Sequence, residues 1–184
     1  MEIAEKQVDI KDVTFTSTDG ISTIHARIWL PPATLGERPR AIVQIVHGMS
    51  EHVRRYDEFA RYLCDRGYAV CGDDHIGHGA SAAPDKRGCM PARNGNEVLI
   101  DDEHALRALV CAEFPADTPY VFFGHSMGSF ITRCYLGRHG EGLTAAVICG
   151  TGTIPVAVSR AGHAAARALA AVRGDEYRRI ARAK

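Results

Sequence analysis

Apolar and polar residues alternate along "DVTFTST" (12–18), stop at Asp19-Gly20, and alternate again along "TIHARIWLP" (23–31). A two-residue period with a turn signal between the runs predicts an antiparallel hairpin with one face exposed. The pattern then changes. "AIVQIVHG" (41–48) is an almost unbroken β-branched run, as expected of a strand buried on both faces. Next come alternating periods. "YDEFARYLCDRG" (56–67) places Phe59, Tyr62 and Leu63 at helical spacing ahead of Gly67, and "YAVCGDD" (68–74) reads as a strand. A long amphipathic helix is predicted over 95–115, with Val98, Leu99, Leu106, Leu109 and Val110 on one side. A strand over 119–126, a helix over 127–140 and a strand over 143–152 complete the series. Strands alternating with helices imply an α/β fold, a mostly parallel sheet flanked by helices, with the hairpin at its N-terminal side. The segment from Pro155 to Lys184 is alanine- and arginine-rich and helical in pattern.

Composition narrows the possibilities. With 184 residues the chain is long enough for one domain with a substantial core. Its 22 basic and 22 acidic residues cancel, so no basic patch points to nucleic acid or to an anionic membrane surface. The first residues, "MEIAEKQVDIKDV", lack the apolar segment of a signal peptide, and no apolar run reaches the roughly 18–20 residues that span a bilayer. The six cysteines stand singly and mostly in apolar contexts, which predicts buried reduced thiols and a cytoplasmic protein.

Chemistry concentrates at Gly124-His125-Ser126-Met127-Gly128. This is G-x-S-x-G with a strand before it and a helix after it, the context of a nucleophile elbow. An elbow holds its serine on a strained turn at the C-terminal edge of the sheet, against the positive end of a helix. The bland alternative is a glycine-rich turn with an incidental serine. Acyl transfer also needs donors for the developing oxyanion. The backbone N–H of Met127 is one candidate, and that of Met49, in the loop His47-Gly48-Met49-Ser50-Glu51-His52 after the 41–48 strand, is the other. His47, Gly48 and His125 flank these donors and are candidate substrate-contacting residues. Glu51 and His52 are expected to organise the loop by hydrogen bonding, and His75 and His78 to brace a turn. Asp101, Asp102 and Glu103 read as a solvated helix face. No histidine pair has convincing metal-ligand spacing with a carboxylate partner, so no metal is expected.

"HGMSEH" (47–52), "DDHIGHGAS" (73–81) and "GHSMGS" (124–129) together resemble the monoglyceride lipase/lysophospholipase-like branch of the α/β-hydrolases, also described as serine aminopeptidase S33-like. The resemblance implies hydrolysis of carboxylic esters such as monoacylglycerols or lysophospholipids, without a cofactor. Carried over to these positions, Ser126 is the nucleophile, Met49 and Met127 are the oxyanion donors, and 74–81 is a structural turn beside the site. The family inserts a helical lid after the strand ending in "ICGTGT", which divides the chain into a core over 1–154 and the start of a lid over 155–184.

A serine hydroxyl needs a general base, and in this fold the acid and histidine follow the serine in the chain. After Ser126 the sequence holds His139 and His163, with Glu141, Asp175 and Glu176 as the only acids. His139 lies at the far end of the helix that starts at the serine, about 20 Å away. If 155–184 is one helix, His163 is about 18 Å from its acids. No self-contained triad is therefore expected. The expectation is an incomplete gene product, a shortened polypeptide or one part of a two-chain protein, inactive or weakly active alone. The 143–152 strand would then be an unprotected edge open to self-association or to a complementing C-terminal chain. Alternatives are a non-catalytic binding module and, on the same fold, an amidase or peptidase.

Overall fold

The computed structural model describes residues 8–36, 38–91 and 94–173. Strands β1 (Asp9–Thr16) and β2 (Thr23–Leu30) pair antiparallel, from Asp9 opposite Leu30 to Thr16 opposite Thr23. Asp19 closes the turn between them. Its carboxylate accepts the Ile21 and Ser22 N–H groups, and Gly20 supplies the positive φ. Strands β3 (Ile42–Val46), β4 (Ala69–Asp74), β5 (Tyr120–His125) and β6 (Ala145–Cys149) run parallel to one another, and β2 joins them antiparallel through β4. The order across the sheet is β1-β2-β4-β3-β5-β6. The expected α/β architecture is thus what forms.

β3 and β4 are central and buried along their whole length, which is why both read as continuous apolar runs. Helices α2 (Gly95–Cys111) and α3 (Met127–His139) cover one face with Leu106, Val110, Ile131 and Tyr135 against Ile28, Ile42 and Phe122. Helix α1 (Asp57–Cys64) covers the other with Ala60 and Cys64 against Trp29, Val43, Ile45 and Val70. Each fully buried Ile or Phe in these layers contributes about 1.5–3 kcal/mol. Trp29 is fully buried, and its indole N–H donates to Asp57 at 2.8 Å, fastening α1 to β2. Helix α4 (Val156–Arg173) follows β6, and those of its side chains that are described are exposed. Asp175, Glu176 and the rest of 174–184 lie outside the described residues.

Of the α1 residues at helical spacing, Tyr62 is half exposed, with the Arg66 guanidinium 3.5 Å above its ring, since the helix packs through Ala60 and Cys64. Two expectations need correction. Only Cys64 and Cys71 are buried. Cys89 is partly so, while Cys111, Cys134 and Cys149 are exposed on helix surfaces and on the edge strand, and all six are free thiols. The acidic run is not a solvated face either. Asp102 and Glu103 are buried, because they continue the inward stripe of α2 that carries Val98, Leu106 and Val110. Asp102 accepts from Ser17 Oγ (2.7 Å), Thr18 N–H (2.6 Å) and Thr18 Oγ1 (2.8 Å), pinning the hairpin turn to the helix.

Candidate active site

Ser126 stands between the last residue of β5 and the first of α3 with φ 52° and ψ −117°. Such a conformation is costly for a residue with a Cβ, by about 1–3 kcal/mol, and persists only where its surroundings enforce it. Here they do. The Ser126 N–H donates to the Cys149 carbonyl at 2.9 Å, and its own carbonyl accepts from Ser129 N–H (3.0 Å) and Ser129 Oγ (2.5 Å). The flanking glycines are dictated by contact. A Cβ on Gly128 would overlap the Val46 carbonyl oxygen, and one on Gly124 would overlap Thr132 Oγ1. The serine side chain is left partly exposed at the N-terminus of a 13-residue helix, where unpaired N–H groups and the helix dipole favour negative charge. Among the described residues its hydroxyl makes no hydrogen bond.

The 47–52 loop leans on this serine. A Cβ on Gly48 would lie 2.7 Å from Glu51 Oε1 and 3.2 Å from Ser126 Cβ, so a glycine here lets the loop approach the serine without displacing either. Glu51 holds the loop in shape. Its Oε1 accepts the Gly48 N–H and the Tyr56 hydroxyl (2.8 Å), and lies 3.3 Å from His125 Nδ1. With the Tyr56 O–H committed to Glu51, the 3.0 Å contact between Tyr56 oxygen and His125 Nδ1 makes His125 the donor. Burial opposes a charged Glu51, but the bonds from Tyr56, Gly48 and His125 outweigh it and hold its pKa below the usual range. The amides of Met49 and Met127 have no acceptor among the described residues.

Beneath the loop lies a buried polar layer. His47 is fully buried, so the structure places it under the candidate substrate surface and not on it. Its Nδ1–H donates to the Gly48 carbonyl at 2.7 Å, and its Nε2 accepts the His75 N–H at 3.1 Å. Burial first, and the neighbouring His75 second, push its pKa far down, which keeps this ring neutral. His75 stacks on it at 3.7 Å and donates its own Nε2–H to the His47 carbonyl at 3.1 Å. Burial would lower the His75 pKa, but Asp73 and Glu103 beside it outweigh that and raise it to about 9. Asp74 ties the next turn in: its two oxygens accept Val53 N–H (2.8 Å) and Ala80 N–H (2.7 Å). His78 contacts the Ile76 carbonyl at 3.1 Å. The 74–81 segment therefore braces the site, as the motif implies.

The remaining histidines stay away from the serine. His139, at the far end of α3, contacts Asp101 at 3.1 Å and stacks on His104. His163 lies on exposed α4. Sequence reasoning did not single out Tyr56, Gln44 or the Cys149 carbonyl. Gln44 alone left a signal, as the one polar residue in the β-branched 41–46 run.

Residues 37–180 match the family described as "Serine aminopeptidase, S33". The chain belongs to that family. A carboxyl esterase from Bacillus coagulans, solved with glycerol, superposes with a TM-score of 0.79 and 35% identity over 92% of this chain and 53% of that one. A lipase in an open form gives 0.76 and 35% over 87% of this chain and 51% of its own. Among curated relatives, a monoacylglycerol lipase of Mycolicibacterium smegmatis is 30% identical over 137 residues, 74% of this chain and 45% of that protein. The monoglyceride lipase of Mus musculus is 32% identical over 109 residues, 59% of this chain and 33% of its own. The chain thus spans less than half the length of these curated relatives. No described helix is long and apolar enough to cross a membrane.

Proposed function

We propose that the chain carries the nucleophile and oxyanion half of a serine hydrolase acting on carboxylic esters of the monoacylglycerol or lysophospholipid type. The observation that carries the reading is Ser126 itself, held at φ 52° with Gly48 pressed against it. In this reading Ser126 Oγ attacks the acyl carbon, and the unpaired Met49 and Met127 amides receive the oxyanion. Gly48 and His125 border the acyl group, and His47 acts from below by fixing the Gly48 carbonyl. Residues 155–173 are the beginning of a lid over that surface. The substrate class rests on the lipases and esterases this chain resembles.

No imidazole among the described residues reaches Ser126, so turnover by this chain alone is expected to be weak. Oxyanion stabilisation without a working triad still leaves acceleration of about 10³–10⁴-fold over water. A fluorophosphonate probe tests the reading: wild type should label slowly and Ser126→Ala not at all. No label on wild type removes autonomous reactivity, and equal label on Ser126→Ala removes Ser126 as nucleophile. A second reading, an interaction module, is favoured by β6, which among the described residues pairs only with β5 and is exposed at Ala145, Val147 and Cys149. It predicts that a complementing segment adds to that edge and that Ser126→Ala keeps the interaction.

A further inference from the structure

The layer under the 47–52 loop contains a cluster that ester hydrolysis does not use. Asp73, His75 and Glu103 are all at most 1% exposed, and one potential ligand atom from each lies within 4.8 Å of the others. His75 Nδ1 is 3.2 Å from Asp73 Oδ1 and 3.2 Å from Glu103 Oε1. Yet both Asp73 oxygens and Glu103 Oε1 are buried without a hydrogen bond. Carboxylate oxygens left bare in the interior are expensive, and native structures rarely tolerate them without an ion or a water.

We propose that Asp73, His75 and Glu103 form a binding site for one small divalent cation, zinc by donor type, which clamps α2 to the end of β4 beneath the 47–52 loop. Spacing, donor set and outer contacts agree. Ligands about 2.0 Å from a tetrahedral zinc lie about 3.3 Å apart, which matches the two 3.2 Å separations. One imidazole nitrogen with two carboxylate oxygens suits zinc, and His75 Nδ1, one Asp73 oxygen and Glu103 Oε1 supply three protein ligands, the fourth tetrahedral position being left to a water. The other atoms are already fixed. His75 Nε2–H is committed to the His47 carbonyl at 3.1 Å, and Glu103 Oε2 accepts from Gln44 Nε2 at 2.5 Å. Gln44 Oε1 is in turn held by the Tyr120 hydroxyl at 2.6 Å. A ligating histidine whose second nitrogen donates to a backbone carbonyl is the usual support around zinc. The competitor is an imidazolium lodged between the two carboxylates. At 3.2 Å from each it would balance their charge while leaving the same three oxygens without an aligned hydrogen bond, and retention of zinc decides between the two.

Since all three side chains are buried, the ion enters as the chain folds. The 184-residue chain is refolded from denaturant with zinc or with EDTA, passed over a chelating resin and assayed for metal. The expected result is about one zinc per chain and a higher thermal midpoint than in the EDTA-refolded protein. Asp73→Asn and Glu103→Gln should each lose the zinc and the zinc-dependent shift. Wild type that retains no zinc, or variants that retain as much as wild type, overturns the proposal. If a variant fails to fold, X-ray absorption on the zinc-loaded wild type decides. A first shell of nitrogen and oxygen alone supports the site, whereas sulfur would assign the metal to cysteines and overturn it.

Discussion

Replacing Ser126 by glycine should make the protein more stable while abolishing its reactivity. The backbone at this position has φ 52° and ψ −117°, the conformation of the first central residue of a type II′ turn, where glycine is the favoured residue. Relief of strain is worth about 1–3 kcal/mol, against about 0.4–1 kcal/mol for the extra freedom glycine gives the unfolded chain. Nothing else is lost, since the hydroxyl has no hydrogen-bond partner among the described residues. The net gain is about 1 kcal/mol, and for a chain of 184 residues that raises the melting midpoint by about 2–3 °C. Ser126→Ala is the control. It removes the same oxygen, keeps the Cβ and the strain, and should stay within about 0.5 kcal/mol of wild type. Urea denaturation of the three proteins at one pH measures the differences. At an ordinary helix-flanking site glycine is no more stable than alanine, so a glycine variant equal to or below the alanine variant refutes the claim that this turn stores strain.

Other perturbations probe the scaffold around the serine. Glu51→Gln exchanges a charged acceptor for a neutral one and should cost about 2 kcal/mol near neutral pH. Because folding depresses the Glu51 pKa, its stabilisation is present above the unfolded value of about 4.5 and is lost as pH falls through the folded value. The gap between wild type and Glu51→Gln should therefore close in denaturation curves taken from pH 6 downward, and a gap independent of pH counts against the role of the charge. Gly128→Ala drives a Cβ into the Val46 carbonyl and close to that of His47, and should destabilise by about 3 kcal/mol in the same assay. Val147→Lys places a charge on the open β6 edge. Light scattering after size exclusion should show less self-association than wild type, and an unchanged oligomer would mean that this edge is not the contact.

The parts of this site that were legible in the sequence are those built from neighbours in the chain. The elbow needs only a strand, two glycines and a helix in succession, and β3 and β4 announce their central position through unbroken apolar runs. What stayed hidden is chemistry assembled across the sheet. Asp102 and Glu103 read as solvated because a run of three acids normally is, and the partners that reverse this come from elsewhere: Ser17 and Thr18 at the hairpin turn, Gln44 on β3, and Asp73 and His75 at the end of β4. The helical period did carry the information, since Glu103 lies three and seven residues before the buried Leu106 and Val110. Composition and periodicity gave opposite answers there, and periodicity was the better guide because burial is decided by the face a residue occupies. The same logic explains the elbow. Its strain is held by a bond from the Ser126 amide to the Cys149 carbonyl on β6, the last strand of the sheet and an exposed edge. The serine's conformation is therefore coupled to the integrity of that edge: whatever pairs with or frays β6 also tightens or loosens the turn that presents the nucleophile.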